Sequence, residues 1–113
     1  MIADLSFHFS IRIVRFYQYL KSEHKEYVLS KQILRSGTSI GANVVEAKEG
    51  QSRADFLSKY SIALKEAVET EYWLKLLHST GYLSDKGYSS LQRDCSEIIR
   101  ILTAIVKTTK SQS

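Results

Sequence analysis

The 113 residues contain no proline, and only five glycines, at positions 37, 41, 50, 81 and 87, punctuate them. Proline removes a backbone donor and clashes with the preceding turn, so a chain without it is free to build long uninterrupted helices. No run rich in β-branched and aromatic residues alternates in the manner of a strand. The chain is therefore expected to be all-α.

Apolar spacing divides it into four helices. Over about 4–22, Phe7, Ile11, Val14 and Tyr17 recur every three or four residues, with Ile13, Phe16 and Leu20 widening the stripe. The polar run from Ser22 to Glu26 interrupts the pattern, and a second helix is expected over 29–49 with Ser30 as its N-cap. Gly50 suits the end of that helix, while Ser52, three residues before Asp55, offers a shortened capping box to a third over 53–79. Its stripe is Phe56, Tyr60, Ala63, Leu64, Ala67, Val68, Leu74 and Leu77, and Gly81 is the stop. Ser84 can cap a fourth helix over 84–108, in which Leu91, Cys95, Ile98, Leu102 and Ile105 form the stripe and Ile99, Ile101 and Val106 thicken it. Residues Thr109 to Ser113 are expected to fray. Four helices with short connections predict an up-down antiparallel four-helix bundle, one domain over residues 1–113.

Composition narrows the function classes. Apolar residues at 43% and charged residues at 25% are ordinary for a folded globular chain, and no apolar run approaches the roughly 18 residues needed to cross a bilayer. The start Met1-Ile2-Ala3-Asp4-Leu5 lacks a basic region followed by a long apolar one, so no secretory signal is read and the expected location is the cytoplasm. Cys95 is the single cysteine, which excludes an internal disulfide and suits a small core-filling residue. His8, His24 and His78 have no close ligand spacing, so neither a metal nor a cofactor is expected.

The segment from Arg35 to Ala47 crowds small and polar residues where a helix normally carries bulky apolar ones. It also spells Gly37-x-Ser39-x-Gly41, the outline of a hydrolase nucleophile elbow, and Ser39, Asp55 and His78 even follow in triad order. An elbow needs a strand, a sharp turn and a helix above a parallel sheet, whereas Gln32-Ile33-Leu34-Arg35 continues a helical pattern. No Gly-Lys-Ser or Gly-Lys-Thr follows to make a phosphate loop. The expectation is thus no enzyme. Gly37 and Gly41 instead lie one helical turn apart, where another backbone can approach closely, and each costs roughly 1 kcal/mol of helix propensity that such a contact offsets. Asn43 and Glu46 lie on an adjoining face, where a buried amide and carboxylate would hydrogen-bond to a neighbouring helix or subunit; a solvated or ligand-contacting role is the alternative.

Ser30-Lys31-Gln32-Ile33-Leu34-Arg35-Ser36-Gly37-Thr38-Ser39-Ile40-Gly41-Ala42-Asn43-Val44-Val45-Glu46-Ala47 resembles the signature helix of the four helix bundle family, the intervening-sequence proteins of large-subunit ribosomal RNA genes. Ala54-Asp55-Phe56-Leu57, Ser61 to Ala67 and Glu69 to Leu74 are similar to that family's third helix, and Thr80-Gly81-Tyr82-Leu83 to its next turn. The resemblance covers roughly residues 28–83. It implies a bacterial bundle assembled into a ring-shaped homo-oligomer, typically a pentamer, and it points to a related group, the accessory proteins of diversity-generating retroelements, in which a basic ring engages nucleic acid and a reverse transcriptase. Leu34 stands where many members carry a second basic residue, and Ala47 replaces a glycine common after the glutamate.

The formal charge is +4, and the excess of Lys and Arg is spread along the chain rather than gathered in a tail. Candidate phosphate contacts are Arg12 and Arg15 on the first helix, Lys31 and Arg35 one turn apart on the second, Lys48 and Arg53 near the following turn, and Arg93 and Arg100 on the fourth. Repetition in a ring would multiply a modest patch, and exposed tyrosines among Tyr17, Tyr19, Tyr27 and Tyr60 could stack on bases or build an interface. Two functions follow as expectations. One is an oligomeric bundle binding RNA, DNA or a nucleoprotein partner; the other is a protein-interaction scaffold in which these cations only solvate the surface.

Overall fold

The computed structural model describes residues 1–112. Four α-helices occupy nearly all of them: α1 is Ile2–His24, α2 Leu29–Lys48, α3 Arg53–Ser79 and α4 Asp85–Ser111. Each packs against its neighbours in sequence, α4 closes the circuit against α1, and the diagonal pairs make no close backbone approach. The result is an antiparallel up-down bundle of 47 × 20 × 20 Å, its length set by helices of 27 residues rising about 1.5 Å each.

Helix ends follow local chemistry. Ser52 and Ser84 cap α3 and α4, their hydroxyls accepting from the backbone N–H of Asp55 and Gly87 at 3.1 Å. Gly81 adopts φ +89°, and the bonds Tyr82 N–H to Leu77 O (2.9 Å) and Gly81 N–H to His78 O (3.3 Å) complete a Schellman stop to α3. Ser30 is not the cap of α2. It is buried, and the Glu26 carboxylate accepts instead from the backbone N–H of Val28 (3.1 Å) and Ser30 (2.8 Å), because the chain turns at Lys25, with φ 53°, and brings Glu26 beneath the first turn.

The core contains Phe9, Ile13, Leu20, Ile33, Ile40, Leu74, Leu77, Ile98 and Leu102, all fully buried, together with Cys95. On α1 the inward face is Ile2, Ser6, Phe9, Ile13, Phe16 and Leu20, whereas Phe7 and Val14 face outward, so the expected stripe is displaced around the helix. Ser6 takes a core position because its hydroxyl bonds back to the Ala3 carbonyl at 3.2 Å, and because α2 comes too close there for a large side chain. In α3, Val68 is exposed, and Thr70 lies inward, its hydroxyl 2.9 Å from Ser36 Oγ on α2. Helix α4 runs three residues past its expected end, with Thr109 buried; of the segment expected to fray, Thr109–Ser111 is helical and Ser113 lies outside the described residues.

Gly37 sits where a Cβ would come within 2.8 Å of Ile13 Cγ2 and 2.9 Å of Ile13 Cγ1. The α1–α2 contact is that tight because the glycine leaves the Ile13 side chain room. At Gly41 the nearest atoms to such a Cβ are Ser6 Oγ and Ser10 Oγ at 3.4 Å, an ordinary contact.

Candidate nucleic-acid interface

Residues 29–48 form one helix, so the Gly37 to Gly41 segment is no elbow, and the Ser39 hydroxyl donates to the Arg35 carbonyl at 2.6 Å. Asp55 and His78 lie near opposite ends of α3, about 35 Å apart by helical rise, and form no triad with Ser39. Among the described residues no group of three or more His, Cys, Asp or Glu side chains is placed to hold a metal ion, and no helix is long and apolar enough to cross a membrane.

The eight candidate cations fall into two groups. Arg12 crosses from α1 to α4, donating to Asp94 Oδ2 at 2.6 Å, to Ser90 Oγ at 2.8 Å and to the Ser90 carbonyl. Arg35 bridges α2 to α3 through Glu66 at 2.9 Å and through Glu69, which also accepts from the Trp73 indole. Arg53 donates to the Gln112 carbonyl, and Arg100 pairs with Glu97 at 3.1 Å within α4. These four guanidinium groups already have protein acceptors, and a phosphate would have to displace them. Arg15, Lys31, Lys48 and Arg93 are exposed and have no partner among the described residues. The fold does not collect all eight into one patch. It brings Arg12 beside Arg15 and Lys48 beside Arg53, in two separate clefts.

The cleft between α1 and the α3–α4 turn is an open hollow of about 430 Å³ lined by Arg12, Arg15, Phe16, Tyr19, Tyr82 and Leu91, among others. Its aromatic wall is organised around His24, whose ring meets Tyr19 edge-on at 5.2 Å and Tyr82 edge-on at 5.3 Å, with His24 Nε2 3.2 Å from the Tyr19 hydroxyl. Tyr82 reaches α1 because the Schellman turn at Gly81 folds it back. Tyr82 is not among the tyrosines expected to be exposed; what marks it in the sequence is its position just after a helix-stopping glycine, where an apolar side chain packs back on the bundle. The second cleft, about 660 Å³ at the α2–α3 turn, holds Lys48, Arg53 and Phe56, the last packed against Tyr60 at 4.6 Å.

The remaining candidates behave differently from one another. Asn43 is half-buried and donates to the Ser39 carbonyl of its own helix at 2.8 Å. Glu46 is exposed, not buried, and pairs with Lys59 of α3 at 3.0 Å, since the core direction of α2 passes through Val44 and Ala47 and leaves position 46 on the rim. Gly41 lines a shallow apolar groove of about 310 Å³ between α1 and α2 with Phe7, Thr38, Ala42 and Val45. Burial pushes the Tyr60 phenol up, and it pushes the Cys95 thiol up to about 12 with help from Glu71 and Asp94. Neither group lines these clefts.

The whole architecture recurs in the crystal structure of a protein with unknown function from the S23 ribosomal protein family of Bacteroides thetaiotaomicron VPI-5482. It is 55% identical with a TM-score of 0.93, over 95% of this chain and 99% of that one. No curated protein matches the chain. The family model described as 23S rRNA-intervening sequence protein matches residues 1–104, and with that coverage the chain belongs to the 23S rRNA-intervening sequence protein family.

Proposed function

We propose that this chain is a non-catalytic cytoplasmic bundle that binds RNA, DNA or a nucleoprotein through its unpaired surface cations, and that homo-oligomerisation multiplies that surface. The observation that carries the reading is the separation of the cations into two sets: Arg12, Arg35, Arg53 and Arg100 serve the protein, while Arg15, Lys31, Lys48 and Arg93 reach solvent without a partner among the described residues. The ribosomal RNA in the family's description and the ribosomal protein family of the Bacteroides structure make RNA the first ligand to try. A phosphate contact of this kind is sequence-independent, and releasing counterions makes its affinity fall steeply with salt. Titration of RNA and DNA at low ionic strength should show binding that weakens from about 50 to 200 mM salt; no affinity, or affinity indifferent to salt, overturns the reading.

A scaffold reading is favoured by the groove between α1 and α2, where Phe7 is 65% and Val45 58% exposed beside Gly41. Exposed apolar side chains gathered along a groove suit a protein contact. We assign that face to contacts between copies of the chain, in the pentameric ring that the family resemblance implies. Sedimentation should give a mass several times 12.9 kDa at micromolar protein, and the monomer mass there removes the ring.

A further inference from the structure

We infer that the cleft between α1 and the α3–α4 turn is a binding site for an unpaired base and its phosphate in single-stranded nucleic acid. The inference rests on the nucleic-acid reading above and goes beyond it by assigning a place, a strand state and a division of labour among residues. Three observations meet in this cleft. Its volume of about 430 Å³ suits a small ligand. Tyr19, 47% exposed, and Tyr82 both line it and are joined through His24 into one aromatic wall. Arg15 stands at the same cleft with no protein partner among the described residues.

The neighbouring groups fix these roles. Arg12 is held by Asp94 and Ser90, so its charge is paired and it acts as a positioning residue that ties α1 to α4 beside the cleft. Arg15 lies one turn further along the same edge of α1 and retains its full charge for a phosphate. His24, between the two tyrosines, holds both rings in place before any ligand arrives, which lowers the ordering cost of stacking. The hollow lined by Tyr17, Tyr27 and Lys21 also has tyrosines and a cation, but there Lys21 Nζ already lies over the Tyr17 ring at 5.0 Å. The α2–α3 cleft keeps Lys48 without a partner among the described residues but has its arginine engaged by Gln112 and its phenylalanine packed on Tyr60, and the α1–α2 groove has no cation.

Strand state follows from access. Bases in a duplex are stacked on one another and cannot offer a face to Tyr19 or Tyr82, whereas an unpaired base can enter between the helices. The site reads no sequence, because every base has a face to stack and the phosphate contact is common to all of them.

The test is anisotropy titration of the intact protein with labelled single strands of about ten nucleotides, uridine and thymidine, against a duplex of the same length. Single strands should bind about tenfold tighter than duplex, with Tyr19→Ala weakening them about tenfold and Tyr19→Phe retaining affinity. Arg15→Ala should reduce the slope of log affinity against log salt by about 0.7. Thermal melts check that each variant is folded. If the wild type binds single strands in a salt-dependent way and both Tyr19→Ala and Arg15→Ala bind as it does, the cleft assignment is overturned while the general reading stands. If the wild type binds no nucleic acid at all, the general reading falls and takes this one with it. Preference for duplex, or an acidic peptide of matched charge bound with the same dependence on Tyr19 and Arg15, also overturns the site.

Discussion

Gly37 and Gly41 are equivalent letters in the sequence and different positions in space. A methyl group on Gly37 would overlap the fully buried Ile13 side chain, whereas one on Gly41 would meet the hydroxyls of Ser6 and Ser10 and the Ser6 backbone carbon at ordinary distance. Overpacking of this kind costs about 1–3 kcal/mol, and removing a helical glycine returns up to about 1 kcal/mol. Gly37→Ala should therefore lower unfolding stability by about 1–2 kcal/mol, and Gly41→Ala should leave it unchanged or raise it by as much as about 1 kcal/mol, in denaturant titrations. Adding Ile13→Ala to Gly37→Ala should cost less than the sum of the single changes, since the cavity and the methyl group partly cancel. Cys95 gives a second expectation. Its thiol is raised to about 12 in the folded protein from 9.0, so between those values the unfolded chain loses a proton that the folded chain keeps. The resulting stabilisation is fully present below pH 9 and is lost as pH rises towards 12, and the alkaline slope of stability should be shallower in Cys95→Ala. At pH 8 the folded protein should resist thiol reagents until denaturant is added.

At the scale of helices, number, order and approximate ends were legible from spacing and punctuation, because a chain without proline and with serines ahead of two apolar runs has few other ways to divide itself. Orientation was legible on α4, where Leu91, Cys95, Ile98 and Leu102 are buried as their spacing predicts, and less so on α1. Apolar spacing alone favours Phe7 and Val14 for the inward stripe of α1, whereas the structure turns Ser6 inward against Gly41 of α2 and leaves Phe7 and Val14 outside. Capping of α2 was misplaced for a related reason. Serine is the commoner cap, and nothing local announces that Glu26 will fold under the turn at Lys25 and take the first amides. Glu26→Ala removes the acceptor for both and should destabilise the bundle by about 1 kcal/mol in a thermal or denaturant melt, with Glu26→Gln recovering part of it. The candidate cations were all visible as letters, and the Arg100–Glu97 pair three residues apart is local, yet which others were engaged by Asp94, Glu66 or Gln112 depended on contacts between helices distant in sequence. The aromatic wall of the cleft likewise joins Tyr19 to Tyr82 across most of the chain, and no local pattern encodes that meeting.

For the molecule as a whole, among the described residues every helix backbone lies close to the two beside it and not to the one opposite, so the bundle is a closed circuit of four neighbouring pairs. Its charged and aromatic features are shared along that circuit: Arg12 joins α1 to α4, Arg35 joins α2 to α3, and Gln92 joins α4 to α3 through Glu71 at 2.7 Å. The apolar groove between α1 and α2 and the tyrosine-lined cleft between α1 and α4 flank opposite edges of one helix, so a copy seated in the groove would leave the cleft accessible. Four antiparallel helices also return the chain to the end where it set out, with the start of α1 and the finish of α4 on adjacent rods. The order of the helices along the backbone is therefore separable from their arrangement in space. A short linker from Gln112 to Met1, with new ends opened at Gln51 in the α2–α3 turn, would give a circular permutant running α3, α4, α1, α2. That permutant should keep the far-ultraviolet spectrum of the parent and lose only the stabilisation held by the opened turn.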